Sequence, residues 1–332
     1  MTRIVIIGGG PAGYEAALVA AQHGGTVTLV DSDGIGGACV LWDCVPSKTF
    51  IASTGIRTEM RRANDLGIAI DPSQAAVALP QIHARVKSLA QDQSADIAAR
   101  VRSVGVELIA GRGEMIDTQL GMAAHRIRAT LANGSERILD ADVVLIATGA
   151  SPRVIKGAEP DGERILNWRQ LYDLDALPEH LIVVGSGVTG AEFVSAYTEM
   201  GVKVTAVSSR DRVLPHEDED AALVLEDAFN ERGVTLAKHA RADSVERTET
   251  GVIVKLSDGR TVEGSHALMT VGSVPNTSGL GLENVGIELD RGGFLRVDRV
   301  SRTPIQGIYA AGDITGLLPL ASVAAMQGRI AM

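Results

Sequence analysis

The sequence has only two cysteines, few aromatic residues, no basic excess and no apolar run long enough to cross a bilayer. Each shortage excludes a class of protein. Two cysteines in 332 residues are not a secreted disulfide framework. A formal net charge of −10 argues against a nucleic-acid or anionic-membrane partner. Aromatics at 3 % beside 37 glycines suit an α/β protein rich in Gly, Ala and Val, whose backbones pack closely. The first residues read Met-Thr-Arg-Ile-Val-Ile-Ile and turn at Gly8, with no leader signature, so a cytoplasmic location is the default expectation. Low-complexity segments and solenoid periods are absent as well.

What is present is a repeated pattern. Ile4–Ile7 is a short β-branched run ending at Gly8-Gly9-Gly10-Pro11-Ala12-Gly13. Tyr14 to Gln22 favours helix, and Thr26–Val30 is a second strand with Asp31 at its tip. The pattern returns as the strand Leu181–Val184, the turn Gly185-Ser186-Gly187-Val188-Thr189-Gly190, a helix over 191–200 and a strand over 202–207. Ser208 then lies as far from Gly185 as Asp31 lies from Gly8. Between the two units, residues 80–104 carry the spacing of an amphipathic helix. Strand-like pieces follow at 106–110, 126–131 and 143–146, the last leading into Ala147-Thr148-Gly149. Another strand closes on Ala311-Gly312-Asp313.

The spacing carries chemistry. Gly8 suits the tight turn, Gly10 the close approach to a pyrophosphate, and Gly13 the packing of helix on strand. Asp31 can accept hydrogen bonds from a ribose diol. In the second unit, Gly185, Gly187 and Gly190 repeat the turn, but the tip reads Ser208-Ser209-Arg210-Asp211-Arg212. An acid at the tip repels a 2′-phosphate, whereas serine and arginine accept one, so NADP(H) is favoured over NAD(H). Just past the first unit, both cysteines stand in Gly36-Gly37-Ala38-Cys39-Val40-Leu41-Trp42-Asp43-Cys44-Val45-Pro46-Ser47-Lys48. Two thiols beside a nucleotide turn point to redox chemistry.

Taken together, the paired cysteines with their Pro-Ser-Lys tail, the two glycine turns, Ala147-Thr148-Gly149 and Ala311-Gly312-Asp313 resemble the pyridine nucleotide–disulfide oxidoreductases. That family includes dihydrolipoyl dehydrogenase, glutathione reductase and mercuric reductase. The Thr49–Thr54 stretch is similar to the actinobacterial dihydrolipoyl-dehydrogenase-like branch, whose members include NAD(P)H:quinone reductases. The resemblance implies an α/β fold of two Rossmann-like domains, the second inserted into the first. It places the FAD-binding domain at 1–150 and 271–332 and the NAD(P)-binding domain at 151–270. It implies FAD on Gly8, Gly10, Gly13, Asp31, Thr148, Gly149, Gly272, Gly312 and Asp313, with Asp313 on the ribityl chain. The pyridine nucleotide falls to Gly185, Gly187, Gly190, Ser208 and Arg210. The resemblance makes Cys44 the thiol beside the flavin and Cys39 the interchange thiol. It sets Lys48 near the flavin, paired with Glu192. A carboxylate partner limits the cost of burying a lysine, and the lysine stabilises an anionic reduced ring. No metal is implied.

Three departures stand out. Trp42-Asp43 precedes the second cysteine where the family has small residues. Ser273 stands where the family has arginine. The chain stops at Met332, where the family's C-terminal interface domain, with its dimer contact and His–Glu acid–base pair, is expected to begin. None of the seven histidines has the His-Pro context of that pair. Quinone reduction needs only accessible reduced flavin, so the leading expectation is an FAD enzyme taking hydride from NAD(P)H and reducing a small acceptor, a quinone first. Disulfide exchange of the dihydrolipoyl dehydrogenase type is the alternative. A fragment that holds FAD without turnover is the alternative from another class. A homodimer is expected only with the interface domain.

Overall fold

The structure is a computed structural model that describes residues 1–71, 75–119 and 124–332. The first half runs β1 (Arg3–Ile7), α1 (Pro11–Gln22), β2 (Thr26–Asp31), α2 (Gly37–Leu41), α3 (Cys44–Ala63) and α4 (Leu79–Ser103). It continues through β3 (Glu107–Gln119), β4 (Ala124–Leu131), β5 (Glu136–Ala141), β6 (Val143–Ile146), β7 (Ala150–Pro152) and β8 (Ile165–Asn167). Next come β9 (His180–Val184), α5 (Val188–Glu199), β10 (Lys203–Val207), α6 (Glu219–Glu231) and β11 (Thr235–Ala237). The chain ends with β12 (Ala242–Arg247), β13 (Val252–Leu256), β14 (Thr261–Gly264), β15 (His266–Met269), β16 (Ser273–Pro275), β17 (Ile308–Ala310) and α7 (Ala321–Ala331).

Contacts divide the chain into two compact units. One holds Met1–Cys44, Leu89–Ser151 and Val274–Met332; the other holds Val45–Ser88 and Pro152–Ser273. The sequence reading kept 1–150 in one piece, whereas Val45–Ser88 packs with the second unit. The physical reason is an aromatic cluster. Phe50 of α3 lies 5.7 Å from His83 of α4 and 5.5 Å from Tyr197 of α5, between ring centroids. Tyr172 and Phe193 complete the group, at 6.0 and 6.4 Å from Phe50. In a chain so poor in aromatics, one such cluster decides where a segment packs.

In the first unit, a seven-stranded sheet has the order β17-β6-β1-β2-β3-β4-β5. β17, β6, β1, β2 and the start of β3 run parallel, and β4 and β5 turn antiparallel onto the end of β3. β1 is covered on both faces, as a central parallel strand must be. Its Ile4 and Ile6 join Ala12, Ala16 and Ala17 of α1. Its Val5 and Ile7 join Met115, Ile127 and Ala129 from the antiparallel strands. The small residues of α1 let α7 cross closely: a Cβ on Gly328 would stand 2.1 Å from the Ala12 carbonyl oxygen.

In the second unit, five parallel strands take the order β11-β10-β9-β15-β8. A separate antiparallel sheet, β12-β13-β14, supplies Val252 and Val254 to a core shared with Ile182, Val184 and Met269. The expected fold of two Rossmann-like α/β units, one entered and left by the chain of the other, is therefore what the chain adopts.

Candidate active site

Two turns of matching geometry, one in each unit, are the first parts of the candidate sites. Each opens on a glycine with positive φ, +108° at Gly8 and +121° at Gly185, a region that side chains rarely enter. Contact reinforces the requirement. A Cβ on Gly8 would meet the Ala147 oxygen at 2.3 Å, and one on Gly185 the Thr270 oxygen at 2.2 Å. The last glycine of each turn is as confined: a Cβ on Gly13 would lie 1.8 Å from the Gly8 oxygen, and one on Gly190 2.1 Å from the Gly185 oxygen. The middle glycines differ. Nothing lies within 4 Å of the Cβ position of Gly187, and at Gly10 only the Gly37 Cα reaches 4.0 Å. Packing forces the outer glycines, while the middle ones face space that a bound group can use.

Behind each turn stands a helix of 12 residues whose N-cap, Gly10 or Gly187, offers no side-chain hydrogen bond. Neither helix carries an acid in its first turn. α6 shows the contrast: Asp218 caps it by accepting from Ala221 N, and Glu219 and Asp220 fill its first turn. The uncapped N-termini of α1 and α5 keep N–H groups and a partial positive charge for an anion. This arrangement fits a dinucleotide pyrophosphate.

The strand tips then separate the two units. Asp31 Oδ2 accepts from Gly9 N at 2.6 Å, and its Oδ1 from Asp33 N and Gly34 N at 2.9 and 2.5 Å. Burial nonetheless raises the Asp31 carboxyl above the usual range. In the second unit, Ser208 occupies that place. Its hydroxyl meets the Ser186 hydroxyl at 2.7 Å, in the turn where Asp31 meets Gly9. The same link between tip and turn is made without a charge.

The remaining predicted residues fall as follows. Thr148 and Gly149 form a turn locked by Asn276, which the sequence reading did not assign. Thr148 Oγ1 donates to the Asn276 oxygen at 2.9 Å, and Asn276 Nδ2 donates to the Thr148 oxygen at 2.8 Å. Gly312 N donates to Gln327 Oε1 at 2.7 Å, which fixes the backbone ahead of Asp313. Asp313 is half-buried, and burial raises its carboxyl. A carboxylate held there fits the hydroxyl-rich chain of a flavin cofactor. The Gly272 oxygen accepts from Arg153 N at 2.9 Å.

Cys39 lies in α2 and Cys44 opens α3, both half-buried. Trp42 N and Asp43 N both donate to the Ala38 oxygen, which tightens the turn between the cysteines. Lys48 lies one helical turn beyond Cys44 on α3, and its Nζ stands 2.6 Å from Glu192 Oε1 on α5. The lysine is 58 % exposed and the glutamate 18 %. An exposed pair of this kind stabilises a fold by about 0–1 kcal/mol. It holds the ammonium in place more than it holds the protein together.

Other groups that fasten α3 to α5 were missed. Glu199 of α5 is 8 % exposed and accepts from Thr54 Oγ1 at 3.1 Å and from Arg232 at 3.0 Å. Arg57 donates to the Met200 oxygen at the C-terminus of α5. Spacing cannot reveal such contacts, because the partners lie far apart in the chain. Among the described residues no group of three or more His, Cys, Asp or Glu is arranged to hold a metal, and no helix is long and apolar enough to cross a membrane.

The comparisons with known proteins agree with this class of site. The family model for pyridine nucleotide–disulphide oxidoreductases matches residues 2–328, so the chain belongs to that family of flavin-dependent NAD(P)H oxidoreductases. It is similar, at 73 % identity over 335 residues, to an NAD(P)H dehydrogenase (quinone) of Mycobacterium tuberculosis, covering 100 % of this chain and 68 % of that one. A dihydrolipoyl dehydrogenase of Chlorobaculum parvum is 36 % identical over 333 residues, covering 99 % and 69 %. Among solved structures, LpdA of Mycobacterium tuberculosis superimposes with a TM-score of 0.95 at 71 % identity, covering 100 % of this chain and 72 % of that one.

Proposed function

We propose that this protein uses NADPH to reduce a small quinone through FAD, with FAD held by the first unit and the pyridine nucleotide by the second. When bound, FAD would supply the hydride-accepting and electron-donating chemistry between the pyridine nucleotide and the acceptor. One observation carries the reading: two matched phosphate turns differ at their tips, where Asp31 is a half-buried acid and Ser208 a neutral hydroxyl. The acid suits a free ribose diol, and the hydroxyl leaves room for a 2′-phosphate. Gly10 and Gly187 admit the two pyrophosphates, and the N-termini of α1 and α5 bind their charge. Asp313 accepts from the hydroxyls of the flavin chain. Lys48, oriented by Glu192, supplies positive charge where the flavin gains negative charge. The quinone is the acceptor of the 73 % identical relative, and reaching it needs no acid–base pair.

The cysteines favour a second reading. Cys39 and Cys44 flank a tight turn at a helix start, which suits dithiol–disulfide exchange of the dihydrolipoyl dehydrogenase type. Stopped-flow mixing with NADPH separates the possibilities. Flavin absorbance bleaches in the wild type, and in Lys48→Met the bleaching slows by about 10²-fold. Cys39→Ala keeps its benzoquinone rate and loses any lipoamide rate. A flavin that stays oxidised under NADPH rules out both readings, and a benzoquinone rate lost with Cys39 rules out the first.

A further inference from the structure

The loop after β10 and the loop after β11 are tied into one surface, and that surface carries a residue with no assigned role. Ser208 N donates to the Ala237 oxygen at 2.9 Å, Ala240 N to the Ser208 oxygen at 3.0 Å, and His239 N to the Arg210 oxygen at 3.2 Å. Below them, Glu226 of α6, 4 % exposed, accepts from Val213 N at 2.8 Å and from Lys238 Nζ at 2.5 Å. One buried carboxylate therefore anchors both loops, next to Arg212 in one and next to His239 in the other. Leu214 N donates to the Ser186 oxygen at 2.8 Å, which joins the first loop to the phosphate turn.

The backbone here is strained. Among the described residues three non-glycine residues have positive φ, and two of them, Leu214 at 51° and His239 at 58°, flank this surface. A non-glycine residue in that region costs on the order of 1 kcal/mol and persists only when its surroundings impose it. The strain at His239 keeps its peptide beside Arg210 and leaves its ring exposed.

The two arginines of the first loop are not equivalent. Arg212 is 24 % exposed and is engaged by acids, Glu219 at 3.5 Å and Asp211 at 3.8 Å. Arg210 is exposed, and among the described residues no acid pairs with its side chain. Arg212 braces the loop, and Arg210 is left to meet a ligand.

We infer that His239 is a second reader of the 2′-phosphate, acting beside Arg210, while Arg212 is structural. The inference rests on the NADP(H) reading of the second unit and deepens it. An imidazole N–H donates to a phosphate oxygen whether or not the ring is charged. Two donors from separate strand tips discriminate by geometry as well as charge.

Calorimetric titration with adenosine 2′,5′-bisphosphate and with 5′-AMP, on purified wild-type protein and variants, tests this without turnover. The wild type binds the bisphosphate more tightly. His239→Gly accommodates the positive φ, and it weakens the bisphosphate about tenfold while leaving 5′-AMP unchanged. His239→Lys restores part of the difference. Arg210→Ala lowers the ratio similarly, and Arg212→Gln preserves it. A His239→Gly protein with the wild-type ratio overturns the role of His239. An Arg212→Gln protein that loses the ratio as Arg210→Ala does overturns the division between the arginines. A wild type that does not distinguish the two ligands overturns the NADP(H) reading itself.

Discussion

His83 shows at the scale of one residue what burial does to a titratable group. The ring is 4 % exposed, its Nδ1 stands 3.1 Å from the Leu174 carbonyl oxygen, and its Nε2 has no partner. Its pKa falls from 6.5 to about 4, chiefly through burial and in part through Lys87, against the raising effects of the Leu174 bond and of Asp173 and Asp175. The folded protein thus binds fewer protons than the unfolded chain between those values. Stability from His83 is full above pH 6.5 and is lost as pH falls toward 4, by up to about 3 kcal/mol. In His83→Leu, urea unfolding shows a shallower loss of stability across that window than the wild type. Parallel pH slopes in the two proteins would refute the assignment. Nothing in the local sequence marks His83 as buried, because its partners are Phe50 and Tyr172, distant in the chain. Glycines were different. Gly8, Gly13, Gly185 and Gly190 were legible because part of their reason is local, each turn having to close within six residues, although the oxygens that crowd Gly8 and Gly185 come from the distant Ala147 and Thr270.

Among the elements, α3 and α5 reveal which contacts matter for stability and which for position. Two glutamates of α5 face α3. Glu192 meets the exposed Lys48, and Glu199 meets Thr54 in the interior together with Arg232. Breaking the exposed pair removes about 0–1 kcal/mol. Removing the buried Glu199 carboxylate takes the charged acceptor from Arg232 and leaves the Thr54 hydroxyl only the Ile51 oxygen, at a cost of about 1–3 kcal/mol. Glu199→Leu therefore lowers the urea midpoint far more than Glu192→Leu, and equal midpoints would contradict the assignment of burial. The sequence announced α5 and the strands β9 and β10 that flank it, which complete the second glycine unit, but it did not announce α3. It did not announce that Val45–Ser88 packs with the second unit, nor the β12-β13-β14 sheet. Those depend on long-range pairing, and periodicity within a segment carries no record of its partner.

For the whole molecule, two units of one design in a single chain raise the question of whether each holds its own nucleotide. Linkage answers it, because a ligand stabilises only the fold that binds it. At a hundred times its Kd a nucleotide adds about 2.7 kcal/mol, enough to move a melting transition measurably. The middle glycines are the means of separating the two. A methyl at Gly10 meets only Gly37 at 4.0 Å, and at Gly187 it meets nothing, so Gly10→Ala and Gly187→Ala fold as the wild type does. Each methyl occupies space proposed for a pyrophosphate. Thermal melting of flavin-stripped protein should then give a crossed result. Gly10→Ala loses the increment from added FAD and keeps that from NADPH; Gly187→Ala keeps the first and loses the second. If either variant lost both increments equally, or neither, the proposal of one nucleotide per unit would fail. A crossed result would trace the whole division of labour to two glycines that packing does not require.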